Sequence, residues 1–317
     1  MAMPTTTPFA HQIASFRSSA PVNFWVAIPD SSISDQQAKR DKSIKIAQFA
    51  RAFSIFRVKR VYIYHDKTSE INKNDARILK TILGYLDTPQ YLRRRLYPIT
   101  PDLEFAGILH PIKAPHHKKF EDIKSIKPGD ARVGIVTRHK GVMHVDVGLG
   151  TMIPCENISP SEEGKKVNVK FMSRHPKPRV IKASADDMNN SYWGYEILQV
   201  PSLHGLLKET KNKNNIEIMI TSRNGSPFKK VECELLGTLN LVRNLLVVFG
   251  APKRSVEQIL SGEGQSIEHY KYRVNMFPFQ GTETVRLEEA IFGSLAILNN
   301  NLLLDINKTE SPSQINH

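Results

Sequence analysis

The sequence predicts an α/β protein whose chain is interrupted by a small, mainly β segment. Strand and helix patterns alternate at both ends of the chain, while the middle lacks helical periodicity. Charge adds a third observation, because the 317 residues include 44 Lys and Arg against 31 Asp and Glu, a formal net charge of +13. Such a surplus favours a polyanionic partner, and nucleic acid is the polyanion that we expect.

The first α/β segment contains two predicted strands and two predicted helices. Residues 24–29 predict a strand that ends at Pro29, and residues 58–64 predict a second strand rich in β-branched and aromatic side chains. Ser34 and Asp35 are candidate caps of the first helix, and Asn74 is the candidate cap of the second. Apolar residues repeat at helical spacing in both helices, namely Ile46, Phe49, Ala50 and Phe53 in the first and Ile78, Ile82 and Leu86 in the second.

The segment after Pro111 carries short strands and glycine-containing turns. Residues 132–136 and 141–147 predict a hairpin, and residues 166–171 alternate between apolar and polar. Several short strands with regular turns are typical of a small barrel of the OB or a related type. Residues 113–182 hold 15 Lys and Arg against 7 Asp and Glu, a surplus of +8, and small barrels use basic grooves to bind single strands.

The α/β pattern returns after residue 182. Strands are predicted at 195–200, 216–221, 245–249 and 273–276, and a last helix begins near Thr284. We therefore expect one α/β domain built from residues 21–110 and 183–305. The β-barrel insert spans residues 111–182, and flexible tails are expected at 1–20 and 306–317.

Three loops that follow the last strands carry glycine together with small polar residues. They span residues 221–227, 249–252 and 275–282. Ligands bind at the carboxyl ends of the strands in parallel sheets. The chain has neither a Gly-x-Gly-x-x-Gly nor a Walker A pattern, so a phosphate-binding loop of those kinds is excluded. A ligand site and ordinary turns both remain open on this pattern alone.

Metal, redox and membrane functions find little support in the sequence. The two cysteines, Cys155 and Cys233, form no Cys-x-x-Cys pair, and we expect both to be reduced and buried. The histidines between 116 and 175 match no zinc-binding spacing, so no metal is expected. Apolar runs such as 245–249 are too short to span a bilayer, and the N-terminus does not resemble a secretory signal. These features predict a cytoplasmic protein without a membrane partner.

Short motifs spread over residues 22–300 carry a family resemblance. They are Tyr91-Leu92-Arg93, Pro115-His116-His117, Trp193-Gly194-Tyr195, Phe249-Gly250 and the block from Asn275 to Ala290. With these motifs the chain resembles the SPOUT (trefoil-knotted) methyltransferases, in particular an archaeal and eukaryotic RNA methyltransferase branch with an OB-like insert. The resemblance implies a knotted α/β domain, a homodimer and S-adenosylmethionine as methyl donor. It also implies RNA, ribosomal RNA above all, as substrate, with uridine N3 as the first guess for the target atom.

The resemblance also implies which residues hold the cofactor. In that superfamily three knot loops cradle S-adenosylmethionine with backbone groups, and Gly250 and Gly281 would allow its close approach. The matching residues are Thr221, Ser222, Arg223, Phe249, Gly250, Ala251, Pro252, Asn275, Met276, Phe277, Pro278, Gln280, Gly281 and Thr282. The chain departs from the family pattern after Pro252, where Lys253-Arg254-Ser255 stands in place of an expected glycine.

Methyl transfer to a proton-bearing atom needs positioning and a base or an anion-stabilising group. The candidates are Asn275, Arg286, Glu288 and Asp102. An ordinary first helical turn explains Arg286 and Glu288 equally well, and a simple turn explains Asp102.

The RNA-binding candidates are Arg60, Arg93, Arg94, Arg95, His116, His117, Lys118, Arg138 and Lys140. A non-catalytic RNA-binding or ribosome-assembly factor that retained the knotted fold is the main alternative function, and a DNA-binding barrel is a second one.

Overall fold

A computed structural model of the protein describes residues 22–67, 73–117, 122–184, 187, 192–213 and 215–303. Both predicted tails, 1–20 and 306–317, and the RNA-binding candidate Lys118 lie outside these described residues. The chain divides into two compact units, one built from residues 1–80 and 195–317 and the other from residues 81–194. Residues 81–110 and 183–194 therefore group with the barrel segment rather than with the α/β segment.

Eleven strands and seven helices are labelled here in chain order. They are β1 (Asn23–Pro29), α1 (Lys39–Ile55), β2 (Arg60–Tyr64), α2 (Lys73–Asp87), α3 (Gln90–Leu96), β3 (Ala131–His139), β4 (Val142–Asp146), β5 (Met152–Glu156), β6 (Lys166–Phe171), β7 (Val180–Lys182), β8 (Glu196–Val200), α4 (Leu203–Lys211), β9 (Glu217–Pro227), α5 (Phe228–Val242), β10 (Asn244–Val248), α6 (Val256–Gly262), β11 (Tyr272–Asn275) and α7 (Leu287–Leu303). None of the helices in the described ranges is long and apolar enough to cross a membrane.

A six-stranded parallel sheet organises the first unit. Its strand order is β11-β9-β10-β1-β2-β8, and every neighbouring pair runs parallel. The central strands β1 and β10 are continuous apolar runs because helices cover both faces of such a sheet. The α/β prediction is confirmed here, since all six predicted strands form within one or two residues of their expected starts.

The helix α1 buries the predicted apolar face, with Ile46, Phe49, Ala50 and Phe53 fully enclosed. Its predicted caps are wrong, because the helix begins at Lys39 behind Ala38, which offers no capping side chain. Asp35 forms an ion pair with Lys45 instead, at 2.7 Å between Oδ2 and Nζ. Asp35, predicted as a cap of this helix, is thus the ion-pair partner of Lys45 instead.

A closed five-stranded barrel organises the second unit, in the order β3-β4-β5-β7-β6. The predicted hairpin is confirmed as β3 and β4, which pair antiparallel from Ile135 opposite Asp146 to His139 opposite Val142. Closure comes from β3 pairing with β6 and from a parallel pairing of β5 with β7. The core of the barrel is mainly aliphatic, and Val145, Val169 and the aromatic Phe171 are almost completely enclosed in it.

The two cysteines differ in their surroundings. Cys155 is buried in the barrel, where burial first and the nearby carboxylate of Glu156 second raise the pKa of its thiol to about 11. Cys233 is exposed on α5, so the prediction that both are buried is wrong for this residue. Residue type alone does not indicate whether a cysteine such as Cys233 lies on the buried or the exposed face of a helix.

Candidate functional site

The first unit contains a cavity of about 980 Å³ at the carboxyl ends of β9, β10 and β11. Its size is typical of small-molecule sites, which measure roughly 300–1,000 Å³. All three predicted loops contribute to the wall. The predicted cofactor residues that line it are Thr221, Ser222, Arg223, Phe249, Gly250, Ala251, Pro252, Asn275, Met276, Phe277 and Gln280. Pro278, Gly281 and Thr282 are absent from the wall.

The first loop is a bulge in the strand β9. The pairing of β9 with β11 jumps from Ile220, opposite Arg273, to Ser226, opposite Val274, so residues 221–225 loop out of the ladder. Gly225 is needed for this jump, because a Cβ atom there would lie 2.6 Å from the backbone oxygen of Arg273. The Thr221 hydroxyl donates to the Val248 carbonyl at 2.9 Å and fixes the start of the bulge against β10.

The third loop is tied to the first by side-chain hydrogen bonds. The Asn275 Nδ2 donates to the Arg223 carbonyl at 2.8 Å, while its Oδ1 accepts from the Phe277 backbone N–H at 2.9 Å. The Arg223 Nη1 in turn donates to the Glu283 carbonyl at 3.0 Å, and the Gln280 amide donates to the same oxygen at 3.1 Å. Two of the predicted loops are thereby held as one wall of the cavity.

The middle loop is a tight turn between Ala251 and Arg254. The Ala251 N–H donates to the Arg254 carbonyl at 2.8 Å, and the reverse bond measures 3.3 Å. Gly250 packs on this turn, since a Cβ atom there would come within 2.6 Å of the Arg254 backbone oxygen. Where the sequence has Lys253-Arg254-Ser255, the backbone of Ala251 and Arg254 closes the turn and the Arg254 side chain anchors it.

That anchor is a buried carboxylate at the end of β2. The Arg254 Nη2 donates to the Asp66 Oδ2 at 2.6 Å, and Asp66 is fully enclosed. The Ser31 hydroxyl donates to the same oxygen at 2.8 Å, and the buried Tyr64 hydroxyl donates to the Phe249 carbonyl at 2.6 Å. Burial, followed by the charge of Asp66, raises the pKa of Tyr64 well above its ordinary value. The loop therefore keeps its shape through contacts to residues almost 190 positions away in the chain.

The helix α7 supplies a wall that the loop prediction did not include. Leu287, Ala290 and Ser294, spaced at i, i+3 and i+7, all face the cavity. The Phe277 ring lies against this helix at Gly293, where a Cβ atom would stand 2.7 Å from two ring carbons. Further lining residues, which are not among the predicted cofactor-binding residues, are Asn224, Lys253, Arg254, Ser255, Val256, Glu257, Gln258, Val274, Glu283, Thr284 and Val285.

The four candidate catalytic residues occupy different environments. Asn275 is engaged by the two loops that it joins. Glu288 pairs with the buried Lys45 at 3.0 Å, Arg286 is exposed, and the wall includes neither of them. Asp102 is buried in a short 3₁₀ helix of the second unit. The structure thus gives Asn275 and Glu288 structural tasks, and it brings Asn275 alone among the four to the cavity.

Comparison with known proteins decides the family. Residues 23–298 match the profile of the family described as "Putative RNA methyltransferase". The chain belongs to this RNA methyltransferase family. It is 28% identical over 309 residues to the Homo sapiens 28S rRNA (uridine-N(3))-methyltransferase, covering 89% of this chain and 79% of that protein. It is also 28% identical over 288 residues to an uncharacterised protein of Haloarcula marismortui, covering 86% of this chain and 97% of that one.

Among solved structures, the methyltransferase is similar to one described as a putative methylase family protein from Neisseria gonorrhoeae. The similarity has a TM-score of 0.34 at 12% sequence identity, and it covers 93% of this chain and 87% of that chain. A TM-score this low does not indicate a shared fold. The family assignment of the methyltransferase therefore rests on its sequence.

The basic residues proposed to contact RNA are distributed unevenly in the methyltransferase. Arg60 starts β2, so it lies at the amino edge of the sheet, opposite the edge that carries the cavity. There its guanidinium bonds Glu196 at 2.9 Å and stacks on the Trp25 ring. Arg60 therefore lies away from the cavity, because parallel strands place their starts and ends at opposite edges of the sheet.

Arg93 and Arg94 are neighbours with different surroundings. The Arg93 guanidinium donates to the Thr88 and Leu86 carbonyls at 2.9 and 3.3 Å and lies 4.5 Å from the centre of the Tyr85 ring. Arg93 therefore pairs with backbone carbonyls at the C-terminal end of α2. Arg94 is exposed, and Arg95 pairs with Asp146 at the barrel. The candidates Arg138 and Lys140 are exposed at the β3–β4 hairpin, with Arg138 3.7 Å from Glu163.

His116 does not lie on the surface that RNA contact requires. It is 4% exposed, and its Nε2 lies 3.0 Å from the Asp87 carbonyl. Burial, opposed in part by the Asp87 charge, lowers the pKa of the ring to about 4, so it is neutral near pH 7. His117 reaches the same carbonyl at 3.0 Å and is half-buried. In the described part of the chain, no group of three or more His, Cys, Asp or Glu side chains is arranged to hold a metal ion.

Proposed function

We propose that this methyltransferase transfers a methyl group from S-adenosylmethionine to ribosomal RNA, with N3 of a uridine as the target atom. The observation that carries the proposal is the cavity at the carboxyl ends of β9, β10 and β11, in a chain whose family is one of RNA methyltransferases. The uridine target is supported by the name of the human relative, a 28S rRNA (uridine-N(3))-methyltransferase.

The residues of the cavity fit this cofactor. Met276 and Phe277 offer apolar surface, and the loops at 221–224 and 249–252 offer backbone groups at close range. Glu257 and Glu283 add carboxylates that suit a cationic ligand. S-adenosylmethionine supplies an electrophilic methyl group on a sulfonium. The protein contributes a cavity whose walls are already tied together by Asn275, Arg223 and the Arg254–Asp66 pair, so that little has to be ordered on binding.

The finer assignment to the SPOUT superfamily, with a trefoil knot, belongs to this proposal. It is supported by the convergence of the three loops and by the position of α7, which follows the third loop and returns across the cavity wall. The OB-like character of the insert is supported by the barrel order, in which the first strand pairs with the second and fourth and the third strand pairs parallel with the fifth.

The barrel unit is the proposed RNA-binding module. Its exposed cations include Arg94, Arg138 and Lys140, and the segment at 113–182 carries the surplus of +8. Aromatic side chains are scarce in that segment, with Phe120 and Phe171 alone, and Phe171 is enclosed in the barrel core. Binding is therefore expected to depend on phosphate contacts more than on base stacking, which makes the affinity steeply salt-dependent.

A homodimer is part of the proposal as well. The exposed apolar side chains Ile55 and Phe292 lie on α1 and α7, two helices in mutual contact, and the Phe56 ring packs edge-to-face against Phe292 with 5.2 Å between the ring centroids. Exposed apolar side chains on neighbouring helices are typical of association surfaces. Phe292→Glu is expected to convert a dimer to a monomer in light scattering coupled to size exclusion. A wild-type monomer at micromolar concentration would refute this part alone.

Two measurements test the reaction. Calorimetric titration with S-adenosylhomocysteine should give saturable binding by the protein freed of carried-over ligand. Incubation with ribosomal RNA and S-[methyl-³H]adenosylmethionine should then give labelled RNA, and nucleoside mass spectrometry should identify 3-methyluridine. Cofactor binding without methyl transfer to any rRNA would favour the non-catalytic alternative. Label in another nucleoside would retain the methyltransferase and refute the uridine target.

A further inference from the structure

Beyond Leu287, the face that α7 turns to the cavity is built from small side chains. Ala290 and Ser294 line the cavity, and Gly293 lies beside them under the Phe277 ring. Gly293 cannot carry a side chain without displacing that ring, since two of its carbons stand 2.7 Å from the Cβ position. The small residues leave a wall without protruding side chains next to an aromatic ring, which suits a planar apolar surface of a ligand.

Ser294 is the polar exception on this wall. The residue is 1% exposed, and its Oγ has no hydrogen-bond partner among the described residues. Other helical hydroxyls donate to the carbonyl four residues back, as Ser43 does to Lys39 at 2.8 Å and Thr238 to Glu234 at 3.2 Å. Leaving a buried polar group unpaired costs about 1–3 kcal/mol, so its place on a cavity wall calls for an explanation.

Two other buried hydroxyls lack partners, on Ser54 and Thr100, but neither residue lines the cavity. Ser294 therefore combines two independent properties, an unsatisfied hydroxyl and a position on the wall. A ligand that supplied the missing partner would gain a hydrogen bond without any cost of desolvating the serine, because that cost is already present in the free protein.

We propose that Ser294 is a specificity residue whose hydroxyl hydrogen-bonds a ring heteroatom or the amino group of the adenine base of the cofactor. The inference rests on the proposed function and adds to it the position of the base, which would lie against Ala290 and the Phe277 ring. Adenine is the part of the cofactor that presents both a flat apolar face and a polar edge. The ribose and the amino-acid portion carry hydroxyl, amino and carboxylate groups but have no flat apolar face.

The test compares Ser294→Ala with Ser54→Ala, which removes an equally unpartnered hydroxyl away from the cavity. Ser294→Ala is expected to weaken S-adenosylhomocysteine binding about tenfold in calorimetry. The melting temperature of the ligand-free variant should be unchanged or higher, because an unsatisfied polar group has been removed. Ser54→Ala should bind S-adenosylhomocysteine as the wild type does.

Four analogues of S-adenosylhomocysteine locate the contact on the base, namely the 1-deaza, 3-deaza, 7-deaza and 6-desamino compounds. One of them should bind the wild type more weakly and lose nothing further in Ser294→Ala. Equal losses for all four would place the contact outside the base and overturn the proposal, as would Ser294→Ala binding within twofold of the wild type. Failure of the wild type to bind S-adenosylhomocysteine at all would instead overturn the proposed function, together with this inference.

Discussion

Each unit of the methyltransferase buries a carboxylate where several chain segments meet, and the two differ in what neutralises it. Asp66, in the sheet unit, is paired with Arg254 from a loop that lines the cavity. Asp87, in the barrel unit, is paired with Lys166 from β6 at 2.7 Å and lies beside the neutral His116. The first charge fixes the shape of a candidate ligand site, and the second joins the end of α2 to the barrel. Buried charge thus serves positioning in one unit and assembly in the other.

The largest effect should follow from removing the partner of Asp66. Arg254→Met leaves a fully enclosed carboxylate without its cation, and breaking a buried pair in this way costs about 3–5 kcal/mol. The free energy of unfolding from urea titration is the measurement. Arg273→Met is the control, since its 3.9 Å pair with Glu268 is exposed. A loss below 1 kcal/mol for Arg254→Met would show that the pair does not anchor the loop, and adding Asp66→Asn should recover part of the loss.

The counterpart in the barrel unit is a dependence on pH. The pKa of His116 falls to about 4 in the folded protein from an ordinary 6.5, so the unfolded chain binds more protons between these values. Stability from this residue is complete above pH 6.5 and declines as the pH falls towards 4, by about 3 kcal/mol in all. Urea titrations of the wild type and His116→Gln between pH 7.5 and 4 should reveal it. Parallel curves for the two proteins would contradict the prediction.

A smaller effect separates two glycines of the cavity loops. Gly250→Ala drives a Cβ atom to 2.6 Å from the Arg254 backbone oxygen, which must move the middle loop. We expect at least a tenfold loss of S-adenosylhomocysteine affinity, about 1.4 kcal/mol. Gly281→Ala is the matched control, because no atom lies within 4 Å of its Cβ position. Equal calorimetric affinities for the two variants would mean that the turn is not part of the ligand site.

The smallest expected effect concerns adjacent arginines of α3. Arg94→Ala should lower RNA affinity about three- to tenfold and reduce the salt dependence by about one phosphate contact, without altering stability. Arg93→Ala should instead lower the free energy of unfolding by about 1–2 kcal/mol, because it loses bonds to the Thr88 and Leu86 carbonyls. Binding by fluorescence anisotropy at several salt concentrations distinguishes the two. If both arginines had a purely structural role, Arg94→Ala would leave the dependence of RNA affinity on salt concentration unchanged.

The carboxyl-edge loops could be predicted from the sequence because they depend on local pattern. Apolar strands followed by glycine and small polar residues mark that edge wherever the sheet is parallel, and residues 221–224, 249–252, 275–277 and 280 do line the cavity. The barrel strands were equally accessible, since alternation and turns identify β3, β4 and β6. Helix α6 carries a capping box from Ser255 to Gln258 that the sequence also shows and that the prediction did not use.

Contacts between distant segments left no such signal. Arg254 and Asp66 are 188 residues apart, and nothing near either of them indicates the pair. His116 lies in a polar stretch of sequence, which predicts an RNA-contacting residue on the surface. In the structure it is buried beside the carbonyl of Asp87, 29 residues earlier in the chain. The cavity wall on α7 could not be predicted, because the sequence does not indicate which face of this helix turns to the loops. In the structure, the contact between Phe277 of the third loop and Gly293 fixes that face.

The closed barrel has a consequence for the behaviour of the protein in solution. A sheet with free edges exposes unpaired N–H and C=O groups, which recruit strands from other molecules and begin aggregation. The five strands of the barrel pair all the way round, so this strongly basic unit presents no such edge. The six-stranded sheet ends instead at two short edge strands, β11 with four residues and β8 with five. Resistance to edge-to-edge aggregation should therefore be greater in the unit that contains the basic segment of residues 113–182.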